Sequence, residues 1–118
     1  MKPEVIVCTC GSDCPGFKDR NLVELLTRIR TELPVEYAVA HPFLCDEDGE
    51  RFLVKLLKDD GKYIVAACDP KKQLKLLKDG FEKAGVGMEG HLISVGTSKM
   101  TTEEAFEAVK KAIGGQGD

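Results

Sequence analysis

Four short apolar runs rich in β-branched residues alternate with four stretches whose apolar residues recur at helical spacing. This alternation is the strongest constraint the chain places on its own fold. Glu4 to Cys8 (Glu-Val-Ile-Val-Cys) reads as the first strand, and its near-continuous apolar character suits a strand covered on both faces. A loop with Pro15 and Gly16 follows, and from Asn21 the period changes. Leu22, Leu25, Leu26, Ile29 and Leu33 form one stripe, with Asp19 or Asn21 as cap and Pro34 just beyond. Val35 to Ala40 is the second strand. Phe43 to Gly49 is expected as a loop and Glu50 to Lys58 as a short helix with Leu53, Leu56 and Leu57 inward. Tyr63 to Ala67 is the third strand. Asp69 and Pro70 then open a helix that carries Leu74, Leu77 and Phe81 on one face and stops near Gly85, with Gly80 as an irregularity inside it. His91 to Val95 is the fourth strand. Thr101 caps the last helix, which turns Ala105, Phe106, Val109 and Ala112 inward.

Strand–helix alternation of this kind predicts right-handed crossovers and a mostly parallel sheet. The expected fold is α/β: a three-layer α/β/α domain with a mostly parallel four-stranded sheet in the order 2-1-3-4. Residues 1–113 form a single Rossmann-like or flavodoxin-like domain, and residues 114–118 form a flexible C-terminal tail.

Composition narrows the function by exclusion. A formal net charge of −3 argues against nucleic-acid or anionic-membrane binding. No stretch approaches the roughly 20 apolar residues that a membrane span needs. The first residues lack the long apolar run and cleavage site of a signal peptide, so the expected location is cytoplasmic. Five cysteines in such a chain point to metal or redox chemistry rather than structural disulfides, and an odd number cannot all pair.

The positions of these cysteines carry the functional argument. Cys8 and Cys10 fall at the end of the first strand and Cys14 in the loop after it. Cys45 follows the second strand, and Cys68 follows the third. In a parallel sheet all these places lie at the carboxyl edge, where ligands bind at the point of strand-order reversal. Cys8 is in phase with an apolar strand, so core packing and ligation stand evenly for it. Cys10, Cys14, Cys45 and Cys68 fit packing poorly. Helix N-termini at the same edge favour thiolates there, and tetrahedral sulfur sites select zinc or iron–sulfur centres. The Cys8-x-Cys10-x3-Cys14 spacing is neither a zinc knuckle nor a bacterial ferredoxin run, so the local motif leaves the metal open.

Four segments resemble a known family: Val5 to Gly11 (Val-Ile-Val-Cys-Thr-Cys-Gly), Phe43 to Gly49 (Phe-Leu-Cys-Asp-Glu-Asp-Gly), Ile64 to Pro70 (Ile-Val-Ala-Ala-Cys-Asp-Pro) and Phe81 to Val86 (Phe-Glu-Lys-Ala-Gly-Val). In order and spacing they resemble the N-terminal iron–sulfur domain of the heterodisulfide reductase A subunit. More distantly, the chain is similar to the iron–sulfur delta subunit of methyl-viologen-reducing hydrogenase. The resemblance implies an electron-transfer protein with Cys10, Cys45 and Cys68 as iron–sulfur ligands. It also implies a 4Fe–4S cluster in preference to 2Fe–2S, and redox partners of the flavoprotein, ferredoxin or hydrogenase-subunit kind. It implies an electron-transfer subunit or domain rather than a complete enzyme, since the flavin domain and ferredoxin repeats of the reductase A subunit have no counterpart here. The family carries a further cysteine after the fourth strand, where this chain reads Val95 to Met100 (Val-Gly-Thr-Ser-Lys-Met). Either Cys14 takes that place or the cluster has changed or been lost.

The remaining features weigh less. His41 is near Cys45, but a solvated or locally hydrogen-bonded histidine is the better account than a ligand. The Gly96-Thr97-Ser98 segment could bind an anion or a cofactor phosphate beside Thr101, but a turn before a helix cap is the better account. No G-x-G-x-x-G or P-loop supports a nucleotide site. Lys71, Lys72, Lys75 and Lys78 and the acids at 46–48 read as solvated charge. Two alternatives to the iron–sulfur reading remain. One is a metal-free thiol-disulfide or persulfide protein using Cys10, Cys14 and Cys68; the other is a non-enzymatic binding module with zinc or no metal.

Overall fold

A computed structural model of the chain describes residues 3–8, 21–41, 44, 47–58, 61–67, 70–97 and 99–114; for residues 70–73 and 76 the description is of backbone alone. The elements follow the expected order: β1 (Glu4–Cys8), α1 (Leu22–Glu32), β2 (Tyr37–His41), α2 (Glu47–Leu56), β3 (Tyr63–Ala67), α3 (Pro70–Ala84), β4 (Leu92–Gly96) and α4 (Thr102–Gly114). The four strands form one sheet in the order β2-β1-β3-β4. Every pairing is parallel.

Side-chain alternation along the strands divides the core in two. Val5 and Val7 of β1, Ile64 and Ala66 of β3 and Val95 of β4 meet Leu25 and Ile29 of α1 and Ala105, Phe106 and Val109 of α4 on one face. Ile6 and Cys8 of β1 with Tyr63, Val65 and Ala67 of β3 meet Leu53 of α2, Leu77 and Phe81 of α3, and Val86 on the other. Two helices on each face make the three layers. β1 and β3, the central pair, are covered on both sides, which is why they read as unbroken apolar runs.

Local chemistry sets the element ends. The Asn21 side chain accepts the Glu24 N–H at 3.0 Å and caps α1. Thr101 and Glu104 form a reciprocal capping box at α4: the Glu104 N–H donates to Thr101 Oγ1 at 3.2 Å, and the Thr101 N–H donates to Glu104 Oε1 at 3.0 Å. α3 closes with a Schellman motif in which the Val86 N–H reaches the Phe81 carbonyl and the Gly85 N–H reaches that of Glu82, both at 3.1 Å. Gly85 has φ +75°, the left-handed conformation that this cap requires.

Four expectations shift. α2 begins at Glu47, so Glu47, Asp48 and Gly49 are helical rather than loop. The acids lie in its first turn, where the helix dipole favours them. β2 runs from Tyr37 to His41, leaving Val35 buried beneath the sheet edge but outside the ladder. Leu74 has the angular position of Leu77 and Phe81 on α3 but lies nearer the carboxyl edge, at the rim of the layer. It is 47% exposed, whereas Leu77 and Phe81 are buried. The irregularity at Gly80 has a packing cause. A Cβ there would stand 3.0 Å from Leu53 Cδ1, so the missing side chain lets α3 approach α2 closely. Gly114, expected in the tail, ends α4 as a helical residue. Residues 115–118 lie outside the described residues.

Candidate functional site

β1, β2, β3 and β4 end together at Cys8, His41, Ala67 and Gly96. The register pairs Cys8 with His41 across β1 and β2 and Ala67 with Gly96 across β3 and β4. Strand order reverses between β1 and β3, which places the ligand-binding crevice of this fold class beside Cys8 and Ala67. Helices α1, α3 and α4 each start at this edge, because in a parallel α/β unit the helix returns from the strand's carboxyl end.

Cys8 is the one cysteine among the described residues. The expected ligands Cys10, Cys14, Cys45 and Cys68 lie outside them. Cys8 is 4% exposed and belongs to the α2/α3 face, packed with Ile6, Leu44 and Ala67. The Leu44 N–H donates to its Sγ at 3.5 Å, a contact that ties Leu44 to the end of β1.

His41 lies at the same edge with its side chain 13% exposed. Its Nε2 is 3.5 Å from Asp48 Oδ2, and its ring packs against Phe52 with centroids 5.1 Å apart. Both partners are on α2. Of the two expected surroundings, the local partner holds and solvation does not: the ring nitrogen faces a carboxylate, and the ring face lies on an aromatic.

Thr97 has a role that periodicity does not reveal. It is fully buried, directly after β4, and its N–H and Oγ–H both donate to the Ala67 carbonyl, at 2.8 and 3.1 Å. The Met100 N–H then bonds back to the Thr97 carbonyl at 3.2 Å, closing a turn in which Lys99 takes φ +63°. The expected turn before a helix cap is therefore present, and it grips the end of β3. Its only trace in the sequence is a threonine directly after an apolar strand, a pattern common to many strand ends.

On the α1/α4 side the helix starts are joined. The Asn21 N–H donates to Thr102 Oγ1 at 2.8 Å. Arg28 of α1 pairs with Glu32 and with Glu103 of α4, and its guanidinium lies 3.9 Å over the Phe106 ring. On the other face Lys83 of α3 pairs with Glu50 of α2. These contacts fix the helices that frame the edge.

Among the described residues, no group of three or more His, Cys, Asp or Glu side chains is gathered to hold a metal ion. β2, β1 and β3 are hydrogen-bonded neighbours, so their ends stand roughly 5 Å apart from one to the next. In sequence, each of these ends leads within four residues to a cysteine: Cys10 after Cys8, Cys45 after His41 and Cys68 after Ala67.

The fold is an α/β domain with a parallel sheet in which three neighbouring strand ends lead, in sequence, to cysteines. No protein-family model matches the chain. Among curated proteins it is similar to three heterodisulfide reductase A subunits. It is 24% identical over 125 aligned positions to the A subunit of the ferredoxin/F(420)H(2)-dependent CoB-CoM heterodisulfide reductase of Methanosarcina acetivorans. It is 26% identical over 126 positions to the A subunit of the ferredoxin:CoB-CoM heterodisulfide reductase of Methanosarcina mazei. It is 31% identical over 114 positions to the iron-sulfur A subunit 1 of the CoB--CoM heterodisulfide reductase of Methanopyrus kandleri. The matches take in 96%, 96% and 92% of this chain but 16%, 16% and 17% of those proteins, so the chain spans about a sixth of the relatives it matches. They support a domain related to one in the reductase A subunit and give no support to the likeness with the hydrogenase delta subunit. No helix among the described residues is long and apolar enough to cross a membrane.

Proposed function

We propose that this chain is an iron–sulfur electron-transfer unit, related in function to a domain of the heterodisulfide reductase A subunit. Its ligands are Cys10, Cys45 and Cys68, with Cys14 in the fourth place and a 4Fe–4S cluster in preference to 2Fe–2S. The observation that carries this reading is the adjacency of the β2, β1 and β3 ends at the carboxyl edge, each followed within four residues by a cysteine. The likeness to the reductase chains, one of them named an iron-sulfur subunit, supports the same reading. The burial of Cys8 among Ile6, Leu44 and Ala67 favours packing for that residue, which supports the choice of Cys14 for the fourth place.

A bound cluster supplies a one-electron relay. The chain's own residues set its surroundings. The α2/α3 layer closes one side of the crevice with apolar groups, and the helix starts direct N–H groups toward the edge, which favours thiolates. The partners in this reading are redox proteins of the flavoprotein, ferredoxin or hydrogenase-subunit kind, and the location is cytoplasmic. Electrons enter and leave through those partners, so the chain is a relay rather than a complete enzyme.

The test is anaerobic reconstitution of the chain with iron and sulfide, followed by measurement of both and of the visible and EPR spectra. Stoichiometric iron and sulfide are expected, with loss on replacing Cys10, Cys14, Cys45 or Cys68 by serine. Protein that takes up neither iron nor sulfide under these conditions overturns the reading. Zinc uptake without sulfide would instead favour the zinc-binding module.

A further inference from the structure

Thr97 is fully buried, and both of its donors reach the same acceptor. A strand end needs only one N–H to satisfy its last carbonyl, and the Thr97 N–H already does this at 2.8 Å. The hydroxyl adds a second bond to that oxygen at 3.1 Å from within the same residue. A carbonyl held by two donors is restrained in direction as well as distance. The Ala67 carbonyl carbon is bonded to the nitrogen of residue 68. The planar peptide group therefore transmits that restraint to the point where the chain leaves β3 toward Cys68.

The turn behind Thr97 is built at a local cost. Lys99 occupies the left-handed region at φ +63°, which for a side chain of this kind costs about 1 kcal/mol. Strain of this sort persists where surrounding structure over-determines it. Here the Met100–Thr97 hydrogen bond on one side and the Thr101–Glu104 capping box on the other hold the turn closed.

We propose that Thr97 is a positioning residue for Cys68: by clamping the Ala67 carbonyl from the β4 side, it sets the direction in which the chain carries Cys68 to the edge crevice. The inference rests on the reading of Cys68 as a site residue, and it adds a residue that follows a fourth strand to a site whose cysteines follow three.

The experiment uses the full chain with Thr97→Val, Thr97→Ala as a second hydroxyl deletion that introduces no new bulk, and Thr97→Ser as the conservative replacement. Two quantities are measured beside thermal unfolding. One is the iodoacetamide alkylation rate at Cys68 and at Cys45 in reduced, metal-free protein, resolved by mass spectrometry. The other is the rate at which reconstituted protein loses iron to a chelator. In the hydroxyl deletions Cys68 alkylation is expected to rise at least threefold with Cys45 unchanged, and iron loss to accelerate by a similar factor. Thr97→Ser is expected to restore both rates. Equal alkylation at Cys68 in the wild type and both deletions, or a rise shared equally by Cys45, overturns the proposal and leaves Thr97 with a purely structural role. If the wild type takes up no iron, the cluster reading fails by itself, and the alkylation comparison still decides the role of Thr97.

Discussion

The phenolic oxygen of Tyr63 stands 2.6 Å from the point that a Cβ on Gly61 would occupy, with the ring carbons Cζ and Cε2 at 2.7 and 2.9 Å. Tyr63 is fully buried at the start of β3, and its Oη accepts the Lys58 N–H at 2.7 Å just beyond α2. The ring thus joins the end of α2 to the sheet, and the backbone at Gly61 passes over it without room for a side chain. Gly61→Ala should cost about 1–3 kcal/mol, the usual range for overpacking a filled site. Urea unfolding measures it. Gly87→Ala is the control, because a Cβ there meets nothing within 4 Å. Equal stability for the two variants would contradict this account.

Cys8 separates packing from ligation. Its side chain lies in the α2/α3 cluster, so Cys8→Ala removes a buried sulfur and opens a small void. A loss of about 1 kcal/mol is expected from the transfer and cavity contributions together. Iron content after reconstitution should match the wild type, whereas Cys14→Ser should lower it. Loss of iron in Cys8→Ala with iron retained in Cys14→Ser would reverse the two assignments.

Tyr37 gives a pH signature. Burial is the main cause that raises its phenol pKa above the ordinary 10.0, and the neighbouring Glu4 carboxylate and Tyr63 push in the same direction. A group whose folded pKa is raised stabilises the fold fully below its unfolded value, and that contribution is lost as pH climbs above it. Wild-type stability should therefore fall above about pH 10 more steeply than that of Tyr37→Phe. Urea unfolding of both proteins between pH 8 and 11 tests this. Parallel curves across that range would show that Tyr37 is not responsible.

Lys99 offers a gain of stability. Replacing it by glycine relieves the left-handed strain but adds freedom to the unfolded chain, so the net gain should be roughly 0.5 kcal/mol. Lys99→Ala keeps the strain and should give no such gain. Thermal unfolding of the three proteins distinguishes these outcomes.

Much of the fold is legible in the sequence because the signals are local. The β-branched runs at residues 4–8 and 63–67 and the stripes led by Leu25, Ile29, Phe106 and Val109 carry their periods in plain view, and connection rules turn alternating elements into a parallel sheet. The start of α2 departs from expectation because Gly49 resembles a breaker, whereas the acids at 47, 48 and 50 support a helix N-terminus. Leu74 departs from its expected burial because angular periodicity carries no information about where along its axis a helix runs past the core.

The edge is legible only in part. That cysteines follow three strands is a property of the sequence, and the parallel order of those strands makes their ends neighbours. Which face Cys8 takes depends on the pleat and on which helices cover it, and the register pairs it with His41. The grip of Thr97 on Ala67 joins residues 30 apart. The approach of Gly80 to Leu53 joins two helices across β3.

By itself, then, the sequence determined the order and kind of the elements, the cap at Thr101, and the strand ends that cysteines follow. These follow from chain-local preferences and periodicity. Only the tertiary structure decided the buried place of Cys8, the clamp on the strand end before Cys68 and the tight packing at Gly61 and Gly80. Those depend on distances between segments far apart in the chain, and no local pattern of residues encodes them.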